Sequence, residues 1–266
     1  MVGRTTGTRW RLLERLRYQS HSGRVIRRHR ALHRLEFRRA SLLHPLALLL
    51  GSYGVLLASA DLITAFWCWE FTFWLPHLDL PAAMESQTRH LFGPLAYRLS
   101  VPRLIAGLPD LAALRISAAT CAALMVLAFV TMRGRLLPLG YLLWGACLVQ
   151  LMSVGLFWWA PQAFSHSLTS HIANGLEYAL VLVFCVPLLL SFSFYVFEYS
   201  LLKKAVGTAL IMLGIVVVVP YQYLAHIALI DFGGLLLMPL LYVLFGLLFD
   251  IAVFIALYAW VVSWEA

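Results

Sequence analysis

The chain has 266 residues, is 62% hydrophobic and only 12% charged, and carries a formal net charge of +8. A soluble globular domain is nearer half apolar and a quarter charged, so this balance excludes one and specifies a polytopic membrane protein. Nor does the positive charge point to nucleic acid, because twelve of the twenty basic residues are arginines between Arg4 and Arg39, where a cytoplasmic flank carries them.

Residues 1–41 read as a basic cytoplasmic segment opposed only by Glu14 and Glu36. Trp10, Leu13 and Leu16, then Ile26, Leu32 and Leu35, recur at roughly helical spacing on either side of residues 20–23. This spacing predicts two short amphipathic helices lying on the membrane surface. Arg24, Arg27, Arg28, Arg30, Arg34, Arg38 and Arg39 would then meet anionic lipid headgroups or an acidic partner. The simpler reading of the same arginines is an orientation signal, which needs no binding partner, and an Arg-rich, acid-poor stretch also fits an organellar transit peptide.

Residues 42–266 read as a transmembrane bundle. Apolar runs at about Leu42–Trp69, Leu111–Met132, Leu136–Ala160, Leu176–Phe197, Ala205–Ile230 and Leu235–Trp264 predict six transmembrane helices and an all-α fold. The first run ends in an aromatic cluster, Phe66 to Trp74, of the kind that settles at headgroup level. Residues 70–110 contain Pro76, Pro81, Pro94, Pro102 and Pro109, too many for one long helix, and are expected to form an outer interfacial cap of short surface helices. Arg133, Arg135, Lys203 and Lys204 follow the second and fourth runs, whereas residues 161–175 hold no Lys or Arg. The positive-inside rule then puts both termini on the cytoplasmic or matrix side, in a bacterial inner membrane or an organellar inner membrane.

Chemistry has few places to sit. Asp250 lies about half-way along the last run, with Gln150 in the third run and Asp61 in the first as further intramembrane polar groups. An ionised Asp at mid-membrane costs about 3 kcal/mol on insertion scales, so Asp250 is expected to be neutral, paired or open to a wet cavity. Tyr242 and Tyr258 are its candidate donors. On the outer side, His171, Glu177, His226 and Asp231 flank the ends of the fourth and fifth runs and supply the imidazole and carboxylate groups that a transition metal takes. Their spacing matches no metal motif, and no cofactor is assigned from it. Cys68, Cys121, Cys147 and Cys185 form no C-x-x-C and read as small packing residues.

Helix geometry leaves other marks. Gly51, Gly54, Gly207 and Gly214 favour close helix approach, while Pro187, Pro220 and Pro239 should kink their runs. No G-x-S-x-G, Walker A or G-x-G-x-x-G pattern is present, and the adjacent Ser165–His166 and Ser170–His171 pairs carry little specificity, which leans against an enzyme. Short loops and apolar spans favour a non-catalytic subunit or scaffold of a larger membrane assembly, with lipids and other membrane proteins as partners. A small proton- or cation-linked transporter or channel using Asp250 and Asp61 is the main rival. A membrane enzyme or electron-transfer subunit with an outer metal or quinone site is the third.

Overall fold

The computed structural model describes residues 39–80, 83–90, 96–195 and 200–265. Six of its helical segments are long and apolar enough to cross a membrane, and the architecture is an all-α polytopic bundle that carries one hairpin. In chain order the elements are α1 (Arg39–His77), β1 (Ala83–His90), β2 (Ala96–Arg103), α2 (Leu111–Thr131), α3 (Leu137–Trp159), α4 (Leu168–Tyr195), α5 (Leu201–Gly233), α6 (Met238–Leu244) and α7 (Leu247–Val262), the last two together making the sixth span. Arg24, Arg27, Arg28, Arg30, Arg34 and Arg38 lie outside the described residues, as do both expected surface helices.

Local chemistry sets several of the boundaries. Asp110 opens α2 by accepting from the Ala113 N–H at 2.7 Å. Ser167 and Ser170 open α4 reciprocally, each hydroxyl accepting from the other's backbone N–H, at 3.1 and 3.0 Å. Proline inside α5 has a different consequence. Pro220 cannot donate to the carbonyl of Val216, four residues back, and the Trp67 indole N–H of α1 takes that acceptor at 2.8 Å.

α1 runs eight residues past the expected end at Trp69, with Pro76 inside its last turn. Its 39 residues reach about 58 Å, well beyond the ~30 Å of a hydrocarbon core. The expected cap of surface helices is replaced by an antiparallel hairpin, with Ala83 opposite Arg103 and His90 opposite Ala96. The reason is a period of two: Tyr97, Leu99 and Val101 are buried and Ala96 and Arg98 between or beside them are exposed. The buried face packs on α1 and α4. Arg89 of β1 pairs with Glu177 of α4 at 3.5 Å, and the Leu104 N–H donates to Thr169 Oγ1 at 3.2 Å. Burial, reinforced by nearby Glu177, pushes the Tyr97 hydroxyl up to about 12.

The core lies where α1, α4 and α5 meet, around Trp67, Phe71, Ile172, Leu176, Ile211 and Ile215. Lipid tails are as apolar as these side chains, so close packing rather than water exclusion holds them. Gly207 and Gly214 serve it as expected: a Cβ at either would strike Val261 or Leu257 of α7. Gly51 and Gly54 do not, since an added Cβ there meets nothing.

Candidate functional site

The last apolar run is broken rather than continuous. A 3-10 turn at Leu235–Leu237 leads into the seven-residue α6, the chain then bends at Phe245 and Gly246, and α7 begins at Leu247. Gly246 is fitted to this bend, because a Cβ there would collide with the Tyr242 carbonyl oxygen. Asp250 is therefore not half-way along a helix. It sits in the first turn of α7, whose dipole favours negative charge, and its backbone N–H donates to Gly246 O at 3.2 Å.

A break at this depth exposes backbone acceptors that must find donors. Gln222 of α5 supplies one: its side-chain N–H group donates to Phe245 O at 2.6 Å and reaches Gly246 O at 3.5 Å. Four residues on, and so on the same face of α5, His226 also faces the Phe245 carbonyl. The Asp250 carboxyl lies against the Gln222 amide.

His171, in the first turn of α4, completes the group. Its Nε2 is 3.2 Å from Nδ1 of His226, and the two rings stack with centroids 5.4 Å apart. Tyr223 stands edge-on to His226 at 5.0 Å, and Gly175 makes room for its phenol where any Cβ would collide. Tyr242 of α6 has its ring 5.9 Å from that of His171, with Tyr178 of α4 beside it. His171, His226 and Asp250 are 3%, 2% and 2% exposed, so this is a polar group sealed inside the bundle. Within it His171 Nδ1, His226 Nε2, Gln222 Oε1 and Asp250 Oδ2 have no hydrogen-bond partner. A cavity of about 220 Å³, lined by Phe164, His166, His171, Asn174 and Tyr242, adjoins the pair, and His166 and Tyr242 at its margin are exposed.

Of the four expected metal ligands, the fold joins only His171 and His226. Glu177 is engaged with Arg89 of the hairpin, and Asp231 is exposed near the end of α5. The four form no single site, and among the described residues no group of three or more His, Cys, Asp or Glu is placed to hold a metal ion. Gln150 is buried elsewhere, donating to Ser117 Oγ at 3.0 Å and to Leu236 O at 3.3 Å. Asp61 is exposed on α1 and lines a separate polar cavity with Arg98 of the hairpin. Ser165 Oγ lies 3.3 Å from Nδ1 of exposed His166. Arg39 is the first residue of α1.

Gln222 and Tyr223 escaped the sequence reading. Their signal was a polar side chain two residues after an intrahelical proline and four before a histidine, in an otherwise apolar run. Compared with protein-family models, curated proteins and solved structures, the chain matches none.

Proposed function

We propose that this chain is a small ion-linked membrane transporter or channel, with a proton or cation site at Asp250 where the last span is broken. One observation carries the reading: Asp250 is buried beside a helix break with a carboxyl oxygen that no donor satisfies. An unpaired buried acid is costly, and membrane proteins keep one where an ion or proton has to sit. Broken helices at binding depth recur in transporters for the same reason, since free backbone ends and side chains can be offered to the ion there.

Asp61 drops out of the ion path in this proposal, because it belongs to the cavity under the hairpin. The scaffold alternative rests on the extensive apolar exterior, which lipid covers equally well. We further propose a bacterial or organellar inner membrane, with both termini on the cytoplasmic or matrix side and the basic N-terminal segment against anionic headgroups. The test is ion flux into vesicles containing the purified full chain. Asp250→Asn should abolish it and Asp250→Glu should retain part of it; equal flux in wild type and Asp250→Asn would remove the proposal.

A further inference from the structure

We infer that the ion is a proton, and that it travels between the cavity beside His166 and Asp250 across the stacked His171–His226 pair. This rests on the ion-site reading of Asp250 and adds to it the identity of the ion and its route.

The route follows from which nitrogens are bonded. The inner two, His171 Nε2 and His226 Nδ1, meet at 3.2 Å, while the outer two, His171 Nδ1 and His226 Nε2, are the ones without partners. Turning either ring over would put a carbon where a bonded nitrogen now stands, so the contact itself fixes the orientation. Two imidazoles joined through one nitrogen each and open at the other form a proton wire. A proton accepted at Nδ1 of His171 releases the proton on Nε2 to Nδ1 of His226, which releases its own from Nε2 to the ionised Asp250 carboxyl, where the unpartnered Oδ2 takes it up. Each ring gains one proton and loses one, and no bond between heavy atoms changes. His171 lines the 220 Å³ cavity, which has room for several waters at about 30 Å³ each. At the other end His226 lies beside the Phe245 carbonyl that Gln222 caps, and Gln222 lies against Asp250.

The donor inventory argues against a metal cation. Sodium or calcium needs about six or more converging oxygens. The carbonyls at the break instead accept N–H groups: Phe245 O from Gln222, and Gly246 O from Phe249 and Asp250. That leaves one carboxylate oxygen, one amide oxygen and two imidazole nitrogens without partners, a set that a proton can use singly. The other titratable groups facing this one are Tyr223 of α5, Tyr242 of α6 with Tyr178 of α4 beside it, and His166 ahead of α4.

The experiment uses the full chain in phospholipid vesicles loaded with a pH-sensitive dye, with an inward potential set by potassium and valinomycin. Proton uptake should be unchanged by added sodium or calcium. It should fall about a hundredfold in Asp250→Asn and in His226→Gln, as when a positioned proton-transfer group is removed. Uptake of radioactive sodium that depends on Asp250 would overturn the proton while leaving the ion site standing. Asp250-dependent proton uptake that survives in both His171→Gln and His226→Gln would overturn the route alone. Absence of any ion flux would overturn both readings. Sodium dependence is read on the wild-type chain, so the choice of ion is decided even where a variant fails to fold.

Discussion

Two buried carboxyl groups, Glu70 on α1 and Asp250 on α7, sit beside a proline within one transmembrane helix and a break in another, and the molecule treats them in opposite ways. At Glu70, near Pro220 of the continuous α5, the one hydrogen bond the proline removes is replaced and both carboxyl oxygens are paired. Trp67 takes the Val216 carbonyl, the Trp74 indole donates to Glu70 Oε2 at 2.9 Å and the Tyr221 hydroxyl to Oε1 at 3.2 Å. At the Gly246 break, Gln222 caps the carbonyls but leaves one oxygen of Asp250 and the outer nitrogens of two histidines unmatched. Polar groups that are fully matched rigidify a bundle, whereas groups left open are costly and mark a place where something has to bind or pass.

Substitutions at Asp250 and at Glu70's neighbours should act in different ways. The largest effect should come from Asp250→Asn, which removes about two orders of magnitude of proton flux with little loss of stability, because the amide keeps the carboxyl's shape and replaces an oxygen that has no partner. Gly246→Val should follow: a side chain against the Tyr242 carbonyl forces the bend to move, at a cost of about 1–3 kcal/mol in unfolding and with loss of flux. Trp67→Phe keeps an aromatic ring but strands the Val216 carbonyl, so it should also cost about 1–3 kcal/mol, with residual flux that follows the amount of folded protein. A selective loss of flux in Trp67→Phe would erase the distinction between the two regions. Glu177→Gln removes a half-exposed ion pair and should cost at most about 1 kcal/mol in thermal unfolding.

The smallest effect is a pH dependence of the hairpin. Burial first, and Glu177 second, raise Tyr97 from 10.0 to about 12, so the folded hairpin holds the neutral phenol while the unfolded chain loses its proton earlier. The contribution is fully present below about 10, and is lost as pH rises towards 12. Unfolding stability of the chain should fall over that window in wild type and fall less in Tyr97→Phe, as read by denaturant unfolding at stepped pH.

Six spans and their order were legible because length and apolar composition alone make a transmembrane helix. The hairpin was missed for a specific reason. Val101, Leu104, Ile105 and Leu108 also fit a helical spacing, and the competing alternation of Tyr97, Leu99 and Val101 against Arg98 and Ser100 runs through only a few residues. The broken last span was missed because Gly246 in an apolar run reads as a packing residue. What supports the bend is Gln222 on α5, which satisfies the Phe245 carbonyl the bend releases. Pro239 and Gly246 in one short span were the available warning. His171 and His226 were nominated from their positions at span ends, and the fold brings them to hydrogen-bonding distance; Glu177 was nominated the same way and instead anchors the hairpin. Nearness in sequence to a span end does not tell which neighbour a side chain meets, and that choice is made by the crossing of α4 and α5.

The most direct measurement of the difference between the two carboxyls is an infrared difference spectrum of the reconstituted chain, recorded across a pH jump in the carboxylic C=O region. A band that appears on acidification, vanishes in Asp250→Asn and survives in Glu70→Gln is the expected result. A band that survives in Asp250→Asn and vanishes in Glu70→Gln would place the exchangeable proton at the carboxyl the fold already satisfies, and would contradict the assignment of Asp250 as the ion site.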